Sequence, residues 1–315
     1  MEKAEGMDEP LSGLIVKAQS GFFTVRTERG DFTCRLRGRL KKKRLDTDIA
    51  AVGDRVRILA QPDGSGAIEE ILPRYRVLSR SNPAAGGRGN RARRETEQVI
   101  VANPDQAVFI FACAEPAPHL RMLDRFLVAA ERAEIPAVVC ANKIDLVEPD
   151  RPESLFGIYR KVGYPVLYVS AKTGAGVDQL RAILRAKLSV LSGPSGVGKS
   201  SLLNAIQPGL GLSVRHVSHS HQKGMHTTVA PELIALEEGG FVADTPGLRA
   251  IAFWDIAPEE LDAYFPEIRP LVDQCEFGDC AHENTPGCAV LRAVAEGRVS
   301  PQRYDSYLRL RRGET

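Results

Sequence analysis

From about Leu11 to Pro73, apolar and polar positions alternate in short runs broken by turn residues: G-L-I-V-K, F-F-T-V-R-T, D-F-T-C-R-L, D-R-V-R-I-L and G-A-I-E-E-I-L. A period of two with no helical period predicts short strands. Five such runs in about sixty residues predict a small closed β-barrel, an OB-fold, although SH3-like barrels fit nearly as well. Residues Ser81 to Arg94 are rich in Gly, Asn and Arg and read as a linker. After Glu97 the texture changes. Apolar runs (Q-A-V-F-I-F-A, P-A-V-V-C-A, P-V-L-Y-V-S, K-L-S-V-L-S) alternate with helical periods over Met122–Ala133, Pro152–Val162 and Val177–Ala186. Strand–helix alternation predicts an α/β domain with a mostly parallel sheet covered on both faces. It ends near Ile251. Beyond lie a Pro-rich acidic segment, a cysteine cluster and short helices expected over Ala289–Glu296 and Pro301–Arg312. The expected organisation is therefore a barrel over 1–80, a linker over 81–96, an α/β domain over 97–252 and a small α-helical metal-binding domain over 253–315.

Composition adds little: 43% hydrophobic and 26% charged residues are those of an ordinary globular protein. The stretch Met1–Pro10 is acidic and lacks the apolar core of a signal peptide, and no apolar run is long enough to span a membrane. Both point to a cytoplasmic protein without membrane contact, and a monomer is expected. Net charge is only +2, but Arg35–Arg44 reads R-L-R-G-R-L-K-K-K-R, and a second basic run covers Arg88–Arg94. Such density can mark a polyanion contact, or simply a solvated hairpin tip and a flexible linker. Cys34, Cys113 and Cys140 are isolated and read as buried free thiols.

Residues 193 to 200 read G-P-S-G-V-G-K-S, between an apolar strand and the helical S-L-L-N-A-I. Gly193, Gly196 and Gly198 let the backbone curl so that the N–H groups of Gly193, Pro194's neighbours, Ser195, Val197 and Ser201 can surround phosphates at a helix N-terminus. Lys199 can reach terminal phosphates, and the Ser200 hydroxyl can ligate Mg²⁺. Asn142-Lys143-Ile144-Asp145 follows the strand P-A-V-V-C-A. An ionised Asp145 can accept from both N1–H and the exocyclic amine of guanine, whereas adenine would present a lone pair. Asn142 can bond the base and brace the loop, and the Lys143 stem can cover the ring. Ser170-Ala171-Lys172 ends the next strand, where the Ala171 N–H can donate to guanine O6.

Asp244-Thr245-Pro246-Gly247 follows the strand G-F-V-A. Asp244 is placed to hold Mg²⁺ through water, and the Gly247 N–H to sense a γ-phosphate. In the preceding stretch, S-H-S-H-Q-K-G-M-H-T-T, Thr227 or Thr228 can complete the Mg²⁺ shell. GTPases usually run phosphate loop, switch threonine, D-x-x-G, N-K-x-D, S-A-K. Here N-K-I-D and S-A-K come first, the order produced by cutting that fold after D-x-x-G and joining its old ends.

Cys275-x4-Cys280-x-His282-x5-Cys288 offers three thiolates and one imidazole, a closed set suited to one structural Zn²⁺. The alternative is free cysteines in an irregular loop.

Together these residues resemble the ribosome small-subunit-dependent GTPase A family of circularly permuted bacterial GTPases. The likeness spans nearly the whole chain: the barrel, Q-V-I-V-A-N-P-D-Q-A-V-F-I-F, N-K-I-D, S-A-K, G-P-S-G-V-G-K-S-S-L, K-G-M-H-T-T, D-T-P-G and the Cys/His spacing. It implies a GTP hydrolase that binds the small ribosomal subunit and its rRNA, converts GTP and water to GDP and phosphate with Mg²⁺, and acts in late subunit maturation. Aromatics for base stacking are sparse in the barrel (Phe22, Phe23, Phe32), favouring shape and phosphate contacts. Ras-type proteins place a water-orienting Gln after D-x-x-G; here Leu248 stands there. The family carries a histidine before the switch threonines, and His226 matches it as a candidate catalytic residue alongside Lys199. A binding module using GTP only for structure, and an ATP-dependent enzyme, remain as alternatives; Asp145 argues against the latter.

Overall fold

The computed structural model describes residues 10–41, 48–82, 96–212, 232–244 and 256–314. The first five strands are β1 (Leu11–Gln19), β2 (Phe22–Thr27), β3 (Gly30–Leu36), β4 (Arg55–Ala60) and β5 (Ser65–Ile71), with a helical turn α1 (Gly38–Lys41) between β3 and β4. They close into a barrel of order β1-β2-β3-β5-β4. The β3–β5 pair is parallel and the remaining pairs antiparallel. This order is that of the OB-fold, which decides between the two barrels that the alternation allows. The alternation also explains the interior, since Ile15, Val25, Cys34, Val56, Ile58 and Ile68 are all fully buried. The described part of the basic run is no hairpin tip. It is the end of β3 followed by α1, with Arg37 and Arg39 both paired to Glu69.

Next come β6 (Val77–Asn82) and β7 (Thr96–Ala102), an antiparallel ribbon that occupies both ends of the segment read as a linker. Then follow β8 (Gln106–Ala112), α2 (Leu120–Arg132), β9 (Ala137–Asn142), α3 (Arg151–Val162), β10 (Val166–Tyr168), α4 (Val177–Leu184), β11 (Leu188–Ser192), α5 (Lys199–Ile206), β12 (Leu233–Ala235) and β13 (Phe241–Asp244). The six strands form one sheet of order β10-β9-β8-β11-β13-β12. Every residue of β8, β9 and β11 is buried, as unbroken apolar runs in a parallel sheet require. β12 runs antiparallel to β13 at the edge. After two 3-10 stretches, Pro258–Tyr264 and Arg269–Gln274, the chain ends in α6 (Ala289–Ala295) and α7 (Pro301–Arg311).

The chain packs as two compact units. One holds the barrel, the β6–β7 ribbon, Leu184–Leu191 and the β12–β13 hairpin. The other runs from Ala107 to Ile183, takes in the phosphate loop and α5, and includes the C-terminal segment. In this second unit, Phe265, Ile268, Val290, Ala293 and Tyr307 pack together with Val128 of α2. Beside that core, the fully buried Arg303 of α7 bonds Asp124 of α2 at 2.7 Å and Glu267 at 2.6 Å. Among the described residues, no helix is long and apolar enough to cross a membrane. Cys34, Cys113 and Cys140 are buried and free; burial raises their thiols to about 11, 11 and 12.

Candidate functional site

The phosphate loop leaves β11 at Ser192 and ends at Gly198, which caps α5. Two of its glycines answer to specific neighbours. A Cβ on Gly193 (φ +155°) would lie 2.0 Å from the Ile110 carbonyl oxygen of β8. One on Gly198 (φ +94°) would lie 2.5 Å from the Asn142 Nδ2. Lys199 Nζ donates to the carbonyls of Gly193 at 2.8 Å and Pro194 at 2.9 Å, so the ammonium is held within the curl. Ser195 is exposed at the tip and Val197 is buried beneath it. Ser200 and Ser201 stand on the first turn of α5, where free N–H groups and the helix dipole favour an anion.

Asn142, the last residue of β9, ties this loop to the others. It is 1% exposed; its Nδ2 donates to the Val197 carbonyl at 2.8 Å, and its Oδ1 accepts from the Ala171 N–H at 3.3 Å. Lys143 adopts a left-handed conformation (φ +61°), and its ammonium donates to the Glu115 carbonyl. The turn Ile144–Leu146 then presents Asp145 to solvent, with Oδ1 accepting from the buried Ser170 hydroxyl at 2.6 Å. Ser170 also accepts the Thr173 N–H at 3.1 Å, while Lys172 stays exposed. The three motifs N-K-I-D, S-A-K and G-P-S-G-V-G-K-S are thus wired into one locus: a carboxylate fixed by Ser170, the Ala171 N–H held by Asn142, and an anion-binding curl. Asp244 ends β13, whose parallel register pairs it with Leu191, two residues before Gly193. His226, Thr227, Thr228, Gly247 and Leu248 lie outside the described residues.

This arrangement has close counterparts. A family model for the RsgA GTPase matches residues 71–254, and one for the RsgA N-terminal domain matches residues 12–68. The small ribosomal subunit biogenesis GTPase RsgA of Gemmatimonas aurantiaca is 47% identical over 97% of this chain and 98% of its own. The protein of the same name from Moorella thermoacetica is 43% identical over 95% of each chain. The chain belongs to the RsgA GTPase family. Like other members it is a GTP-hydrolysing enzyme. The crystal structure of YjeQ from Thermotoga maritima superposes with a TM-score of 0.78, 35% identity and coverage of 97% and 98%. YloQ, described as a circularly permuted GTPase, gives 0.76 at 33% identity, covering 99% and 97%. The permuted order of motifs read from the sequence is therefore that of RsgA-type GTPases.

The second cluster lies in the C-terminal segment of this RsgA-family chain. One ligand atom from each of Cys275, Cys280, His282 and Cys288 falls within 4.8 Å of all the others. His282 Nδ1 stands 3.5 Å from both the Cys275 and Cys288 sulfurs, which are 3.9 Å apart. Zinc bonds of about 2.0–2.3 Å arranged tetrahedrally place ligand atoms about 3.3–3.8 Å apart, so the donor set fits the ion. Spacing could not reveal two further partners. Asp262 Oδ2 lies 3.3 Å from His282 Nε2, which leaves Nδ1 for metal, and the Tyr304 hydroxyl donates to the His282 carbonyl at 2.6 Å. Neither Asp262 nor Tyr304 belongs to a sequence pattern; only folding brings them in. Burial raises the Cys288 thiol to about 11. At Cys280 burial also acts upward, but hydrogen bonding from the Thr285 side chain and the His282 backbone draws the thiol down.

Proposed function

We propose that this chain is a GTPase stimulated by the small ribosomal subunit and acting late in its maturation, in the cytoplasm and as a monomer. The observation that carries the nucleotide reading is the double hydrogen bond of Asn142, which joins the phosphate loop to the S-A-K loop while Ser170 fixes Asp145. The subunit reading is supported by the shared name of the full-length relatives.

In this reading Asp145 accepts from guanine N1–H and its amine, Ala171 donates to O6, and the backbone from Gly193 to Ser201 cradles the phosphates with Lys199. Ser200, Thr227 or Thr228, and Asp244 hold Mg²⁺, which offsets the charge that develops between the phosphates. Gly247 senses the γ-phosphate, and His226 positions the attacking water that Leu248 cannot. Cys275, Cys280, His282 and Cys288 hold one structural Zn²⁺. The working parts are the barrel (1–80), linker (81–96), GTPase domain (97–252) and zinc domain (253–315), with rRNA met by the barrel and the zinc domain. Phosphate release from GTP, measured with and without purified small subunits, tests this. Stimulation of at least about tenfold is expected; an unchanged rate in the presence of subunits that demonstrably bind would sink it.

A further inference from the structure

Tyr75 follows the barrel and precedes β6, and the residue is 51% exposed, more than Phe22 at 42% or Phe277 at 48%. An exposed tyrosine ordinarily samples several rotamers, but this one is tethered at both ends. Its N–H donates to Asn103 Oδ1 at 2.9 Å, and its hydroxyl lies 2.8 Å from the Asn103 carbonyl and 3.1 Å from Asp105 Oδ1. Both anchors are themselves fixed. Asn103 is 3% exposed and donates to the Gly53 carbonyl; Asp105 accepts the Leu188 N–H at 2.7 Å. The ring is held as a rigid shelf.

Two cations flank it. The Arg55 and Arg76 guanidiniums lie 5.9 and 5.7 Å from the ring centroid. Arg55 points outward from β4 because Val56 and Ile58 take the barrel interior. Arg26, Arg39, Arg57 and Arg74 are each paired with a carboxylate. Arg55 and Arg76 have no ion-pair partner among the described residues. At Phe22 the Arg35 guanidinium sits only 4.2 Å from the centroid and covers the ring. The two guanidiniums over Tyr75 stand farther off and leave the residue half exposed, with the Asp105 carboxylate confined to its hydroxyl end.

We propose that Tyr75, Arg55 and Arg76 form a docking point for one unpaired nucleotide of single-stranded RNA, the base stacking on the ring and its flanking phosphates meeting the guanidiniums. An acidic peptide would use the arginines but leave the ring idle. The site rests on the reading of this chain as an rRNA-contacting GTPase and adds a base contact to the phosphate contacts expected of the barrel.

The test uses the full chain and a fluorescein-labelled oligouridylate of about ten nucleotides, followed by anisotropy across a salt series. Tyr75→Ala should weaken binding about tenfold with the salt slope unchanged. Tyr75→Phe, which keeps the ring, should stay within about threefold. Arg55→Gln with Arg76→Gln, which leaves the tyrosine tethers intact, should lower the slope of log K against log salt by about 1.4. Unchanged basal GTP hydrolysis reports that each variant is folded. Wild-type affinity in Tyr75→Ala, or no binding of the oligonucleotide by wild type, overturns the site. A slope change in the arginine variant without any loss in Tyr75→Ala also overturns it, by making this an acidic-partner site. Cosedimentation with small subunits separates the two readings. Tyr75-dependent oligonucleotide binding by a chain that ignores subunits leaves the docking point standing and removes the ribosomal role.

Discussion

At the scale of single residues, the site depends on atoms that do two jobs. Asp145 binds Ser170 through Oδ1 and faces solvent, so its position is set before any base arrives. Replacing it with asparagine turns one acceptor into a donor. Asp145→Asn should therefore lose at least tenfold or so in GTP affinity and gain for xanthosine triphosphate, whose C2 carbonyl accepts where guanine's amine donates. Competition between the two nucleotides checks this, and unaltered preference for GTP would remove Asp145 from base recognition. Gly198→Ala makes a different point. The new methyl would need a left-handed backbone, which costs about 1 kcal/mol or more, and it would press on the Asn142 amide. Nucleotide affinity measured calorimetrically should fall at least about fivefold, although Gly198 offers no side chain to the ligand. Binding equal to wild type would show that Asn142 is not needed as the brace between loops.

At the scale of elements, the C-terminal segment adds two polar clusters to a small apolar core built from short helices. Cys288 is both a metal-set residue and the N-cap of α6, its sulfur accepting the Leu291 N–H. Chelation, or Cys280→Ser, should loosen α6 and α7 and their contacts while leaving GTP binding intact, because the nucleotide ligands lie in other elements. Elemental analysis showing no stoichiometric zinc in the purified protein would refute this. Arg303→Met should cost about 3–5 kcal/mol in denaturant melts by leaving Asp124 and Glu267 buried without their cation. How far each feature could be read from the sequence follows from this contrast. The phosphate loop and N-K-I-D are legible because their chemistry is local to four to eight consecutive residues. The Arg303–Asp124 pair joins residues 179 positions apart, and Asp262 reaches His282 across 20. No periodicity encodes such pairs. The barrel lies between these cases: alternation reveals five strands, but only the parallel β3–β5 pairing distinguishes OB from SH3-like closure.

At the scale of the whole molecule, permutation changes which segments follow the nucleotide motifs along the chain. In the unpermuted order D-x-x-G leads into the strand before N-K-x-D; here β13 and D-T-P-G lead instead toward the zinc segment. The residues proposed for base and phosphate recognition are already held by hydrogen bonds within their loops: Asn142 to Val197 and Ala171, Asp145 to Ser170, and Lys199 to Gly193 and Pro194. Hydrolysis needs more, and the residues proposed for it, His226, Thr227 and Thr228, share one polar stretch between α5 and β12. On this proposal Lys199 would serve binding and catalysis alike, whereas His226 would matter chiefly for hydrolysis. On the same proposal, a subunit that fixed that stretch in one arrangement would raise the rate without adding a base of its own. His226→Ala should accordingly keep GTP affinity and subunit binding within about twofold of wild type, yet lose most of the subunit-stimulated turnover, on the order of a hundredfold for a lost general-base or water-positioning group. Lys199→Ala should fail earlier, at nucleotide binding. Single-turnover phosphate release at saturating GTP and saturating subunits separates the chemical step from binding. A His226→Ala rate within a few-fold of wild type under those conditions would assign the water to another group and leave His226 a loop residue.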